Sequence, residues 1–270
     1  MASHSEKPRM NTFSVSATAA DKRAHNTFAE LVERHNISDF MAEKLHKLEA
    51  FDIVIVADDT VSMQSKCMGD PRSPFNASTT HWQELKETIA TIAEIATVLN
   101  NSLGMDVYFL HRPPIRNLTG PGSGLNTAFT NQPSEHASPL THTLRTILRE
   151  KCVGEHPKKL LILIATASHP TTPAGHPDLE SLKRVLSHDR RRISISGEKE
   201  KYSIPAVCFL TCTNGDAPEI EYLEDIRGVD VVNDYYTEKR QVRAVQGRKF
   251  AFSRGDWICR MILGFLCTYM

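Results

Sequence analysis

The sequence has no excess of charge of either sign: 32 lysines and arginines balance 32 aspartates and glutamates. Without a net field, neither nucleic acid nor an anionic membrane is the default partner. It has no run of about 18 apolar residues, the length a membrane-spanning helix needs. The nearest approach, Trp257 to Met270, is shorter and carries Arg260. The opening segment MASHSEKPRMNTFSVSATAADKR lacks the apolar core of a secretory signal. These absences lead to the expectation of a cytoplasmic, intracellular chain with reduced thiols, and the sequons at Asn76 and Asn117 are accordingly read as coincidental. Six cysteines are present but no CxxC pair, which removes the zinc-knuckle and thioredoxin-like readings. No GxSxG, P-loop, GxGxxG or internal repeat occurs, and no serine stands in a recognisable arrangement with a histidine and an acid.

What is present is a hydrophobic fraction of 40% in 270 residues, enough to fill a sizeable core. Residues 1–25 are polar and aperiodic and read as a mobile tail. Residues 26–50 read as a helical extension: Phe28, Leu31 and Val32 share one helical face, and Ser38 stands as N-cap before a second helix carrying Phe40, Met41, Leu45 and Leu48. From residue 51 to 270 apolar strands alternate with amphipathic helices. FDIVIVA (51–57), MDVYFLH (105–111), LLILIA (160–165) and PAVCFLT (205–211) are the strong strands, with a short one at 229–232. Helices are expected at 81–100, 139–152, 179–186, 219–227 and 256–265. Residues 112–124, dense in proline and glycine, read as loop, and 233–254 read as polar and irregular. This alternation predicts an α/β fold: a doubly wound, mostly parallel, Rossmann-like sheet flanked by helices. Cys208 and Cys212, four apart on a strand, share a face and read as packing groups. Trp82 and Trp257 begin helices and are expected near the domain surface.

Ligands of open parallel sheets sit beyond the carboxyl ends of the strands. Loops leave such ends at Asp58, Thr166 and Cys212, and the helix opening at Ser138-Pro139 is expected to enter from the same edge. Asp58, Thr60 and Ser62 alternate directly after the first strand. One carboxylate and two hydroxyls form an all-oxygen set of the kind hard cations prefer. The same residues also suit helix capping and Asx-type turns. Asp59 is expected to face away. His136 and His169 lie near these loops and read as exposed loop histidines. Arg191-Arg192-Ile193-Ser194 resembles a basophilic kinase site within a charged excursion at 187–203.

The segment IVIVADDTVSM resembles the start of von Willebrand factor A domains, where the first strand runs into a D-x-S-x-S motif, the metal-ion-dependent adhesion site. ASPL at 137–140 is similar to the family's G-T-P-L segment, and LLILIATASHP to the strand ending in T-D-G-x-P. PAVCFLTC and SRGDWICRMIL resemble the next strand and the last helix, so the likeness spans roughly residues 48–268. The resemblance implies a metal site of Asp58, Thr60, Ser62 and Ser138 that holds Mg²⁺, Mn²⁺ or Ca²⁺. It implies binding rather than catalysis: a module of an intracellular assembly whose ion accepts an acidic side chain from a protein partner. Ala167 departs from the pattern, standing where the family has an aspartate, and weakens the expected site by one negative charge. Two alternatives follow from the residues. One is a degenerate domain that interacts without metal. The other is a magnesium-dependent phosphohydrolase, against which the adjacency of Asp58 and Asp59 speaks, because its two carboxylates stand two apart.

Overall fold

A computed structural model of the chain describes residues 19–68, 79–100, 103–152, 158–189, 205–214, 218–223, 226, 229–246 and 253–268. Asn76, Ser194 and most of the charged excursion lie outside them.

Two helices open the described chain, α1 (Ala19–Arg34) and α2 (Asp39–Leu45), followed by a 3-10 turn at His46–Ala50. The first strand β1 (Phe51–Ala57) leads through a second 3-10 turn, Val61–Gln64, to α3 (His81–Leu99). Then come β2 (Met105–Phe109), β3 (Ile115–Leu118), α4 (Ser123–Ala128), α5 (Leu140–Lys151), β4 (Lys159–Thr166) and α6 (Leu179–Arg184). The last elements are β5 (Ala206–Thr211), β6 (Asp230–Asn233), α7 (Tyr235–Gln246) and α8 (Arg254–Thr268).

The six strands form one sheet in the order β3-β2-β1-β4-β5-β6. All pairs are parallel except β2 with β3, an antiparallel edge. β1 and β4 are buried almost throughout because both of their faces are covered. Ile53, Ile55 and Ala57 pack with α1, α2, α3 and α8. Val54 and Val56 pack on the opposite face with α5 and α6. This is the expected doubly wound α/β architecture. Among the described residues no helix is long and apolar enough to cross a membrane.

The structure corrects several readings. β3 occupies ground read as loop, and α4 starts at the end of that loop and runs beyond it. β3 has only four residues, one of them inward, and follows Pro113-Pro114, too little for a periodicity to register. α7 lies within 233–254, read as irregular. It is mostly polar, and its start is set by Asp234, whose Oδ1 accepts from the backbone N–H of Tyr236 and Thr237 at 3.0 and 3.1 Å. The helix expected at 219–227 is a short 3-10 turn, Pro218–Leu223. Trp82 and Trp257 are core residues, each only 1% exposed. Trp82 stacks on Phe129 with ring centroids 4.0 Å apart.

The N-terminal helices share the domain core. Leu31, Ile37, Leu45 and Leu48 are buried in the same cluster as α3 and α8. The corner between α1 and α2 lies so close to α8 that a Cβ on Gly255 would stand 2.2 Å from the His35 carbonyl oxygen. Ser38 N donates to Asp256 Oδ1 at 2.7 Å.

α3 begins on a capping box: Thr80 Oγ1 accepts from Gln83 N, and Gln83 Oε1 accepts from Thr80 N. The chain leading from β1 is fastened to this helix start. His81 N donates to Ser65 O at 3.0 Å, and the His81 Nδ1 and Cys67 Sγ atoms lie 3.4 Å apart, both residues buried. Burial lowers the His81 imidazole from 6.5 to about 4. The unfolded chain therefore binds a proton before the folded chain does. The contribution of neutral His81 is complete at pH 7 and is lost as pH falls from about 6.5 toward 4, by up to about 3 kcal/mol. Thermal melts of the protein and of a His81→Gln variant between pH 7 and 4 check this. The gap between their midpoints should close on acidification, and a constant gap would refute the assignment.

Candidate functional site

The strand order reverses between β1 and β4. From β1 the chain crosses to β2 on one side, and it later returns as β4 on the other. Such a switch point opens a crevice at the carboxyl ends of the two strands. Asp58 is the first residue beyond β1, and its N–H continues the ladder by donating to Ala165 O at 3.0 Å.

The Asp58 side chain is 1% exposed, and among the described residues no lysine, arginine or histidine pairs with it. A carboxylate in that position must be met by hydrogen-bond donors or by a cation. Four donors meet it. Oδ1 accepts from Thr60 N at 2.9 Å, closing an Asx-type turn. Oδ2 accepts from Thr166 Oγ1 at 2.7 Å, Ser168 Oγ at 2.8 Å and Ala167 N at 3.3 Å. Thr60 Oγ1 and Ser168 Oγ are also 2.8 Å apart. Ser168 has a single hydroxyl proton, given to Asp58, so the Thr60 hydroxyl donates to Ser168. The result is a directed chain from Thr60 through Ser168 to the Asp58 carboxylate.

Of the four expected site residues, the structure brings Asp58 and Thr60 together. Ser62 lies half-buried in the 3-10 turn, and no hydrogen bond joins its side chain to the cluster among the described residues. Ser138 sits just before α5, on a loop held against both neighbours. Val61 N donates to Glu135 O at 2.8 Å, Ser138 N to Thr171 Oγ1 at 2.7 Å, and Thr171 N to Ser138 O at 2.8 Å. Its hydroxyl is buried, 1% exposed at the residue level, and has no hydrogen-bond partner.

Asp59 faces the other way, as expected. Its Oδ1 accepts from the N–H groups of Leu110 and His111 at 3.1 and 3.0 Å, and Arg112 Nε lies 3.3 Å from Oδ2. Burial pushes its carboxyl above the ordinary aspartate range, opposed by His111 and Arg112. His169 is exposed and rests against Tyr222 with ring centroids 5.4 Å apart, and His136 is exposed too. His111 Nε2 donates to Ala137 O at 2.7 Å, joining the end of β2 to the Ser138 loop. Burial, and after it the charge of Asp58, raise the Tyr222 phenol. That hydroxyl donates to Ser168 O at 3.5 Å.

Thr166 and Ser168 were not read as site residues from the sequence. The available signal was a second alternation of hydroxyls, T-A-S, after a second all-apolar strand. Ala167 packs in the apolar cluster and contributes its backbone N–H to Asp58.

Removing one of the four donors should be felt across the sheet. Thr166→Val keeps the shape and deletes a hydrogen bond to a buried charged group, so unfolding free energy should fall by about 1.5–3 kcal/mol. Denaturant melts measure this, and a loss below about 0.5 kcal/mol would mean that Asp58 does not depend on that hydroxyl.

Compared with models of known protein families the chain matches none, and no curated protein matches it either.

Proposed function

We propose that this domain is a protein-binding module of the von Willebrand factor A type, with its recognition surface at the carboxyl edge of the sheet around Asp58. The donor set fits a hard divalent cation: one carboxylate and several hydroxyls, all oxygen, with no thiol or imidazole among them. The observation that carries the reading is the buried Ser138 hydroxyl without a partner. An orphaned buried hydroxyl costs about 1–3 kcal/mol and calls for an explanation, which an oxygen-seeking ion supplies. Asp58, Thr60, Ser62 and Ser138 would hold Mg²⁺, Mn²⁺ or Ca²⁺, and a partner's acidic side chain would complete the coordination. With a single carboxylate, the site should bind its ion weakly until the partner adds a second negative charge.

A second reading, interaction without metal, draws on the same geometry. Four donors already satisfy Asp58, so the domain is self-sufficient at its most polar point. The phosphohydrolase alternative finds no support, since Asp58 and Asp59 address different loops and leave no nucleophile–acid pair.

Ser138→Ala separates these readings. The variant should be as stable as the parent or more stable by up to about 1 kcal/mol, because it removes an unpaired group. On the metal reading, calorimetric titration with Mn²⁺ should show binding to the parent and at least about fivefold weaker binding to the variant. No heat from Mg²⁺, Mn²⁺ or Ca²⁺ with the parent, together with partner capture insensitive to chelator, would leave only the metal-free module.

A further inference from the structure

A cavity at the far edge of the sheet takes no part in the proposed cation site, since β4 and β5 stand between β1 and β6, the edge strand that walls it. It encloses about 390 Å³ between α2, β6, α7 and α8, the size of a small-molecule site. Trp257 and Leu263 are buried beneath it, Met41 and Val232 are half-buried, and Val231 is exposed. Charged groups surround this apolar lining. Lys44 of α2, Lys47 just after it and Arg260 of α8 reach the cavity together with Asp230 and Glu238, an excess of one positive charge. Glu238 lies 4.0 Å from Arg260. Lys44 holds its ammonium 3.7 Å over the Phe40 ring and has no carboxylate partner among the described residues.

Gly264, inside α8, also lines this space. A glycine within a helix lowers stability relative to alanine, and neither packing nor backbone calls for one here. A Cβ at Gly264 would meet nothing within 4 Å, and its φ is not positive, whereas a Cβ on Gly255 of the same helix would strike the His35 carbonyl. A side chain at Gly264 would instead enter the cavity, so the glycine keeps that volume open. The geometry points to a binding site for a small amphipathic carboxylate, its head met by Lys44 and Arg260 and its apolar body laid on Trp257, Val232 and Leu263. The single excess positive charge suits a monoanion, and the aliphatic lining suits an acyl chain. A peptide strand added to β6 is a poorer occupant. The strand has four residues, and the carbonyl oxygen of Asn233 already accepts from Trp257 Nε1 at 3.2 Å.

The test is calorimetric titration of the full chain with decanoate, which should bind saturably. Octanoate should bind about tenfold more weakly or less, because each buried methylene is worth about fourfold. Decylammonium, with the same chain and the opposite charge, should be weaker by about tenfold or more, and so should decanoate on a Lys44→Gln, Arg260→Gln double variant. Gly264→Leu should abolish decanoate binding while its melting midpoint stays at or above the parent's, since leucine favours the helix and meets open space. If Gly264→Leu does not fold, Gly264→Ala should show a raised midpoint with weakened decanoate binding. Absence of saturable decanoate binding by the parent would overturn the proposal, as would equal binding of decylammonium. Decanoate binding that survives Gly264→Leu unchanged would mean adsorption elsewhere and overturn it too. The cation site at Asp58 is untouched by any of these results.

Discussion

One buried carboxylate organises the carboxyl edge of the sheet. Asp58 lies where β1 ends, with no basic side chain paired to it among the described residues. Burying an unpaired charge is among the costliest things a fold can do. The protein meets that cost with donors drawn from the end of β4 and the turn after it, so the requirement of a single side chain ties together the two central strands. Four hydrogen bonds converge on it. The register of β1 with β4, in which Ala57 stands opposite Ala165, brings Thr166 and Ser168 within reach.

The remaining loops at this edge inherit their positions from that junction. The segment before α5 bridges to Thr60 through Glu135 and to the loop after β4 through Thr171. His111 fastens it to the end of β2, and Asp59 holds the turn after β2 through two backbone N–H groups. Two neighbouring aspartates thus divide the work, one facing β4 and the other β2. On the proposed reading, a partner at this edge would meet a surface whose loops are already bonded to one another. That favours recognition by a pre-formed site, in which little ordering cost falls on binding.

Much of the fold was legible because β1 and β4 are apolar on both faces, a pattern that only a central, doubly covered strand requires. The caps were legible only in position: Ser38 precedes α2 as read but makes no side-chain cap hydrogen bond, whereas Thr80 forms a reciprocal box with Gln83. What escaped was whatever lacked a core-facing stripe. β3 pairs through its backbone at an edge, and α7 is held by an Asp234 cap and by the contact of Tyr235 with Trp257, whose ring centroids are 5.7 Å apart. The tryptophans were misplaced because a helix start says nothing of what will be laid over it. At the site, Asp58 and Thr60 were legible as neighbours in one loop. Thr166 and Ser168 were not, because their meeting with Asp58 depends on strand register more than a hundred residues along the chain, and local alternation does not report register.

The central claim is that a cation, when bound, sits on the Asp58 carboxylate and not elsewhere on this neutral surface. Paramagnetic broadening of amide resonances by substoichiometric Mn²⁺ tests it directly, because the effect falls off steeply with distance from the ion. The account predicts that the amides of Asp58 to Ser62, Ser138 and Thr166 to Ser168 are lost first and together. Broadening that begins at exposed acidic side chains elsewhere, or spares this group, would contradict it.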